Sequence, residues 1–254
     1  MKFLHSLQSE LLKTRRSAAL WLSLAGGFFI PIILLIASLK DHQSINSNND
    51  GQFVWHNYFM NVWSMMIGFL LPLGIILATS LIAQIEYKNN SWKQLYTTPQ
   101  TFSMIFFSKL TVILLMTMQF FIFFNIGIFL SAAIPCLLFD KHLPKPEIPL
   151  LFFLKENFKF FMTCLPIIAI QYLLSLKFKN FLVPVGIGAL SLIGTLIAFR
   201  WKYIFLSPFS YGQMSMITKK KESLSINVYV LAICFFVLIM IINYFLYINK
   251  KEKG

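Results

Sequence analysis

The stretch Gln84–Lys109 reads QIEYKNNSWKQLYTTPQTFSMIFFSK. It separates two apolar runs, Asn61–Ile85 and Leu110–Phe139, neither of which carries a formal charge. At 1.5 Å per helical residue, runs of about 25 and about 30 residues each cross a hydrocarbon core of about 30 Å. The polar stretch between them opens with Glu86 and Lys88, carries Trp92 and Lys93, breaks at Pro99 and restarts as a helix that enters the membrane near Lys109. A short linker between two spans needs none of those features. A surface that another protein pushes on needs them.

Working outward, the rest of the chain has the same character. Charged residues make up 12% of the 254 positions, about half the share of a soluble domain, which places the chain in the membrane class. The 28 Phe residues are expected to face lipid. Four further runs complete an all-α integral membrane fold with six spans, at about 17–39, 61–85, 110–139, 160–176, 181–199 and 226–248. Residues 1–16 place Phe3, Leu4, Leu7, Leu11 and Leu12 at helical spacing, with Lys2, Lys13, Arg15 and Arg16 on the other faces. That pattern predicts an amphipathic helix lying on the membrane surface and leading into the first span. The run that follows lacks a small-x-small cleavage site, so it reads as a span and not as a signal peptide.

Local signals inside the spans point to packing. Pro72 and Gly74 interrupt the second span, where Gly74 and Ala78 form a small-xxx-small pair for close helix contact. Gly194 and Ala198 repeat that spacing in the fifth span, which is expected to pack tightly against a neighbouring helix or a second subunit. Gln119 and Asn125 lie inside the third run and face protein, since lipid offers amides no partner. They either tie helices together or line a substrate route. Pro135 is expected to break the third run, and Pro166 to kink the fourth span. Leu150–Phe161 reads as a short interfacial helix ahead of the fourth span. Between the fifth and sixth spans, Trp201, Tyr203, Phe209 and Tyr211 are expected at the interface, with Pro208 starting a short helix or re-entrant turn.

Charge sets the orientation. With both termini inside, inner segments carry 12 bases and 3 acids, and outer segments 10 bases and 6 acids. The excess of Lys and Arg favours that arrangement, against the dissent of Lys219–Lys221 on the outer side. The formal charge of +13 sits at span ends, where it anchors to headgroups, so nucleic acid is not expected as a partner. His42 and His56 read as solvated loop residues, and Cys136, Cys164 and Cys234 as small hydrophobes.

The apolar runs contain no Asp, Glu, Arg or His, the groups with which ion-coupled transporters work at depth. No P-loop, HExxH or GxSxG motif occurs in the chain. An enzyme, and any cofactor or metal bound by this chain, are therefore not expected. A transporter driven from outside its own chain fits better.

At Glu86–Pro99 the sequence resembles the first cytoplasmic loop of ABC exporter permeases, most closely those of bacterial lantibiotic (bacteriocin) immunity and export. Members carry an acid at the end of the second span, then a base, Trp-Lys, a Leu and a Pro, and often a lysine at the start of the next helix. Here these are Glu86, Lys88, Trp92, Lys93, Leu95, Pro99 and Lys109. Six spans, an N-terminal interfacial helix and an aromatic-Pro segment before the last helix agree with that plan. The resemblance implies a cytoplasmic coupling helix that docks in a groove of a separate ATPase subunit, which would hold the ATP and magnesium. Trp92 and Leu95 would be its buried anchor, and Lys88 and Lys93 its rim. It further implies a second permease subunit, identical or paralogous, a location in the bacterial cytoplasmic membrane and an amphipathic cargo. The rival reading is a non-transporting scaffold or sensor that recruits a cytoplasmic partner through the same loop.

Overall fold

The computed structural model describes residues 2–15, 17–40, 54–88, 101–139, 150–218 and 227–249, and every regular element among them is helical. α1 (Lys2–Thr14) leads into α2 (Ala18–Lys40). α3 (Val54–Met65) passes through a π turn (Met66–Leu70) into α4 (Leu71–Lys88). α5 (Phe102–Leu138), α6 (Leu150–Lys177) and α7 (Leu182–Ile197) follow. Three 3-10 turns then lead into the short α8 (Tyr211–Thr218), and α9 (Val228–Asn249) comes last. Six helical stretches are long and apolar enough to cross a bilayer: Ala18–Lys40, Trp55–Ile85, Phe102–Leu138, Leu150–Lys177, Leu182–Arg200 and Val228–Ile248.

Several local expectations change. Pro135 does not break the third span, because α5 runs on to Leu138. Proline removes one N–H from the ladder but its own carbonyl still serves, and the Phe139 N–H donates to it at 3.2 Å. Leu150–Phe161 is not a separate interfacial helix but the first part of the 28-residue α6. Pro208 does start a short helical turn, which runs directly into α8. Trp201 and Tyr203 are exposed, whereas Phe209 and Tyr211 are buried in protein. The loops at 41–53 and 140–149, the Lys219–Lys221 cluster and the basic tail lie outside the described residues.

Glycines decide where helices meet. A Cβ at Gly27 would lie 3.0 Å from Phe123 Cβ, and one at Gly127 2.8 Å from Pro31 Cγ, so α2 and α5 cross in near backbone contact. Gly74 lacks the close helix contact expected of it, and of the two partners expected for Gly194, a neighbouring helix or a second subunit, the helix is not met. An added Cβ at either meets nothing within 4 Å, so neither makes a close helix contact among the described residues.

The core is aromatic. The Trp63 ring sits 4.7 Å from Phe124, 4.7 Å from Phe160 and 5.0 Å from Phe121, uniting α3, α5 and α6. Phe59, Phe106, Phe124 and Phe160 are fully enclosed, so a share of the phenylalanine packs helices together instead of facing lipid. Some polar groups in this interior pair across helices. Gln171 Nε2 donates to Ser80 Oγ at 2.7 Å, and Asn243 Nδ2 to the Ala169 carbonyl at 3.0 Å. The exterior is apolar, with Trp21, Leu190, Ile197 and Phe245 more than half exposed. Such a surface suits hydrocarbon as its solvent and would associate in water.

Candidate functional site

The two helices that flank residues 89–100 in sequence, α4 and α5, are each tied to neighbours near their facing ends. Gln84 Nε2, in the last turns of α4, donates to the Lys179 carbonyl between α6 and α7 at 3.0 Å. At the start of α5, the Ser103 and Tyr244 hydroxyls lie 2.8 Å apart, and Tyr172 Oη donates to the Phe106 carbonyl at 3.0 Å. Ser108 Oγ and Ser6 Oγ of α1 lie 3.1 Å apart, and Lys109 Nζ meets Glu10 Oε2 at 3.2 Å. The described ends of α4 and α5 on either side of residues 89–100 are thus each held by neighbouring elements. Lys109, singled out as the start of the next helix, lies inside α5 and is one of these ties.

Glu86 and Lys88 fall in the last turn of α4, and their side chains lie outside what the structure describes. Trp92, Lys93, Leu95 and Pro99 lie outside the described residues.

The polar stripe on α1 was not anticipated. Ser6, Glu10 and Thr14 recur every fourth residue and are all buried, while Leu4 and Leu12 on the other side are about two-thirds exposed. The outward side carries exposed His5, Gln8 and Ser9 beside the leucines, a mixed face suited to a membrane surface. Glu10 has lost water, which by itself would raise its pKa. The charges of Lys109 and Lys13 and their hydrogen bonds outweigh that burial, and the carboxyl is held below its ordinary 4.5. The signal available in the sequence was the four-residue spacing of small polar groups around a single acid.

The two amides of the third span have different surroundings. Asn125 and Asn157 form a reciprocal pair, each Nδ2 donating to the other's Oδ1 at 2.9 Å. Each also donates to a carbonyl four residues back on its own helix, at 2.7 Å. All donors are used, and the pair clasps α5 to α6. Gln119 is half-buried on α5.

A cavity of about 270 Å³ lies between α2, the π turn with α4, and α5. Its walls include Gly26, Phe29, Met66, Leu70, Gly74, Ala78, Met116 and Phe120. Ser23 and Thr117 are its only hydroxyl-bearing lining residues, and both hydroxyls donate to carbonyls of their own helices, at 2.8 and 3.0 Å. The space therefore presents hydrocarbon and suits an apolar group. Gln119 and Asn125 are not among its walls. Gly74 and Ala78, expected to pack a neighbouring helix, instead leave this space open.

Among the described residues, no three His, Cys, Asp or Glu side chains converge to hold a metal ion. The family described as ABC-2 family transporter protein matches residues 6–198. No curated protein and no solved structure gives a significant match. The matched region begins in α1, includes the first four spans and nearly all of the fifth, and contains the whole 84–109 segment. With six potential spans and a family match over most of its length, this chain belongs to the ABC-2 transporter family as a membrane-spanning permease component.

Proposed function

We propose that the chain is the membrane subunit of an ATP-driven exporter of amphipathic molecules, such as bacteriocins, other antimicrobial peptides or hydrophobic drugs. The observation that carries this reading is the pair of braced helices on either side of the 89–100 loop. A push on the loop enters α4 and α5 at ends already fixed to α1, α6, α7 and α9. In this reading a separate ATPase subunit binds ATP and magnesium. Its surface receives Trp92 and Leu95, with Lys88 and Lys93 at the rim and Glu86 and Pro99 bounding the coupling helix. Two permease chains pair in the bacterial cytoplasmic membrane with their termini on the ATPase side. The hydrocarbon-walled cavity is where the apolar part of the cargo rests, and Gln119 is a candidate polar contact beside its route. Asn125 contributes there through its clasp with Asn157.

The test is turnover by the permease–ATPase complex in liposomes, with a cationic antimicrobial peptide and an apolar dye as probes. Either probe is expected to stimulate ATP hydrolysis, and Gly74→Leu, whose Cβ meets nothing within 4 Å and whose side chain would enter the cavity, is expected to abolish stimulation by the dye. A complex that forms but hydrolyses ATP at one rate with and without probes would favour the scaffold reading.

A further inference from the structure

The second span contains a joint, and the segment between the fifth and sixth spans is fastened to it. In the π turn Met66–Leu70, the Leu71 N–H reaches back five residues to the Met66 carbonyl. Pro72 follows and has no N–H, so the Gly68 carbonyl four residues earlier gets no bond from it. Gln213 of α8 brings a donor from outside the helix, its Nε2 lying 3.2 Å from that carbonyl. Two glycines permit the approach. A Cβ at Gly68 would sit 3.1 Å from Gln213 Nε2, and one at Gly212 would sit 2.8 Å from Ile67 Cγ1. While Ile67 and Gly68 meet α8, Met66, Leu70 and Leu71 form part of the cavity wall.

A π turn holds one residue more than the α-helical path needs. Closing it into α-helix rotates one half of the span against the other by about 100°, the angle per residue at 3.6 residues per turn. Such a rotation carries the cavity-lining residues of α4 out of register with α3. We propose that Gln213 is the latch of this joint. By holding the Gly68 carbonyl it keeps the wide turn open, and it thereby couples the position of α8 to the shape of the cavity. Gln213 is a positioning residue, and the inference stands on α3, α4 and α8 alone, whatever drives the transporter.

The test uses the full chain in lipid nanodiscs, with its three cysteines replaced by alanine and nitroxide labels at Met65 of α3 and Ile122 of α5, both exposed. Pulsed electron resonance reads the distance between them. One dominant distance is expected with Gln213 present. Gln213→Leu is expected to raise a second population about tenfold, the effect of one hydrogen bond on an equilibrium. Pro72→Ala gives Gly68 a donor within the helix, so it should produce the same second distance, and adding Gln213→Leu should change nothing further. Should Gln213→Leu fail to insert, Pro72→Ala carries the test, since proline-to-alanine exchange is benign to a helix. A single unchanged distance in Pro72→Ala, or in Gln213→Leu, or independent and additive effects of the two, would overturn the latch.

Discussion

Replacing Glu10 by Gln removes the negative member of the pair that holds α1 against α5. Lys109 Nζ and Glu10 Oε2 are 3.2 Å apart, and their side chains are 3% and 6% exposed. The pair therefore belongs with buried ion pairs and not with surface ones. At an effective dielectric of about 20 the attraction is about 5 kcal/mol before desolvation is subtracted. Couplings of contacting residues that survive that subtraction run to about 1–3 kcal/mol. The opening of α1 is read by placing a cysteine at Ser6, whose side chain is buried against Ser108, in a chain otherwise free of cysteine. A water-soluble maleimide reaches it only when α1 lifts. Glu10→Gln is expected to speed labelling by about 5- to 150-fold, and Lys109→Met by less, because Lys13 still pairs with Glu10. The double variant isolates the pair term. If the single effects add with no coupling, or labelling changes by less than about twofold throughout, the brace does not hold α1.

The same pair predicts a pH response. The folded pKa of Glu10 lies below 4.5, so its contribution is complete above that value and is lost as pH falls through the folded value. A nitroxide at exposed Leu12 should report an immobile helix from about pH 5 to 8 and a mobile one only in stronger acid; mobility rising on the alkaline side would contradict the assignment. Asn125→Leu should cost about 1–3 kcal/mol in unfolding from mixed micelles, because it leaves Asn157 without its cross-helix partner. Asn125→Leu/Asn157→Leu should cost less than twice that, and strict additivity would refute the clasp. Gly127→Ala should lower stability by about 1–3 kcal/mol, because its Cβ would meet the rigid ring of Pro31 at 2.8 Å. An unchanged melting temperature would show that α2 and α5 can part freely.

The spans were readable because each rests on one strong signal, a long uncharged run, and the observed helices end close to the expected residues. The second, third and fourth begin at Trp55, Phe102 and Leu150, well ahead of the expected 61, 110 and 160, because polar and charged residues there continue the helix. Features that depend on a partner elsewhere in the chain were not. Asn125 was recognisable as an amide in need of a bond, but Asn157 had been placed in a separate interfacial helix, so the clasp could not be foreseen. Gly74 and Ala78 carry the spacing of a packing motif, yet spacing does not say whether a helix or a void lies opposite. Pro72 marked an irregularity in the second span, but the Gln213 donor that meets the π turn lies 145 residues away, which no local pattern reveals. Glu10 was legible only as one acid in a basic helix, and its meaning came from Lys109.

The central claim is that force reaches this permease from a second protein through the 84–109 segment. The most direct measurement is recovery of an ATPase with the tagged chain from native membranes, compared between the parent protein and Trp92→Ala. The account predicts that a P-loop ATPase co-purifies with the parent and is lost from Trp92→Ala, which still inserts at normal levels. Equal recovery of that ATPase with both, or a residue 92 that reacts with membrane-impermeant reagents from the outer side of the cell, would contradict it.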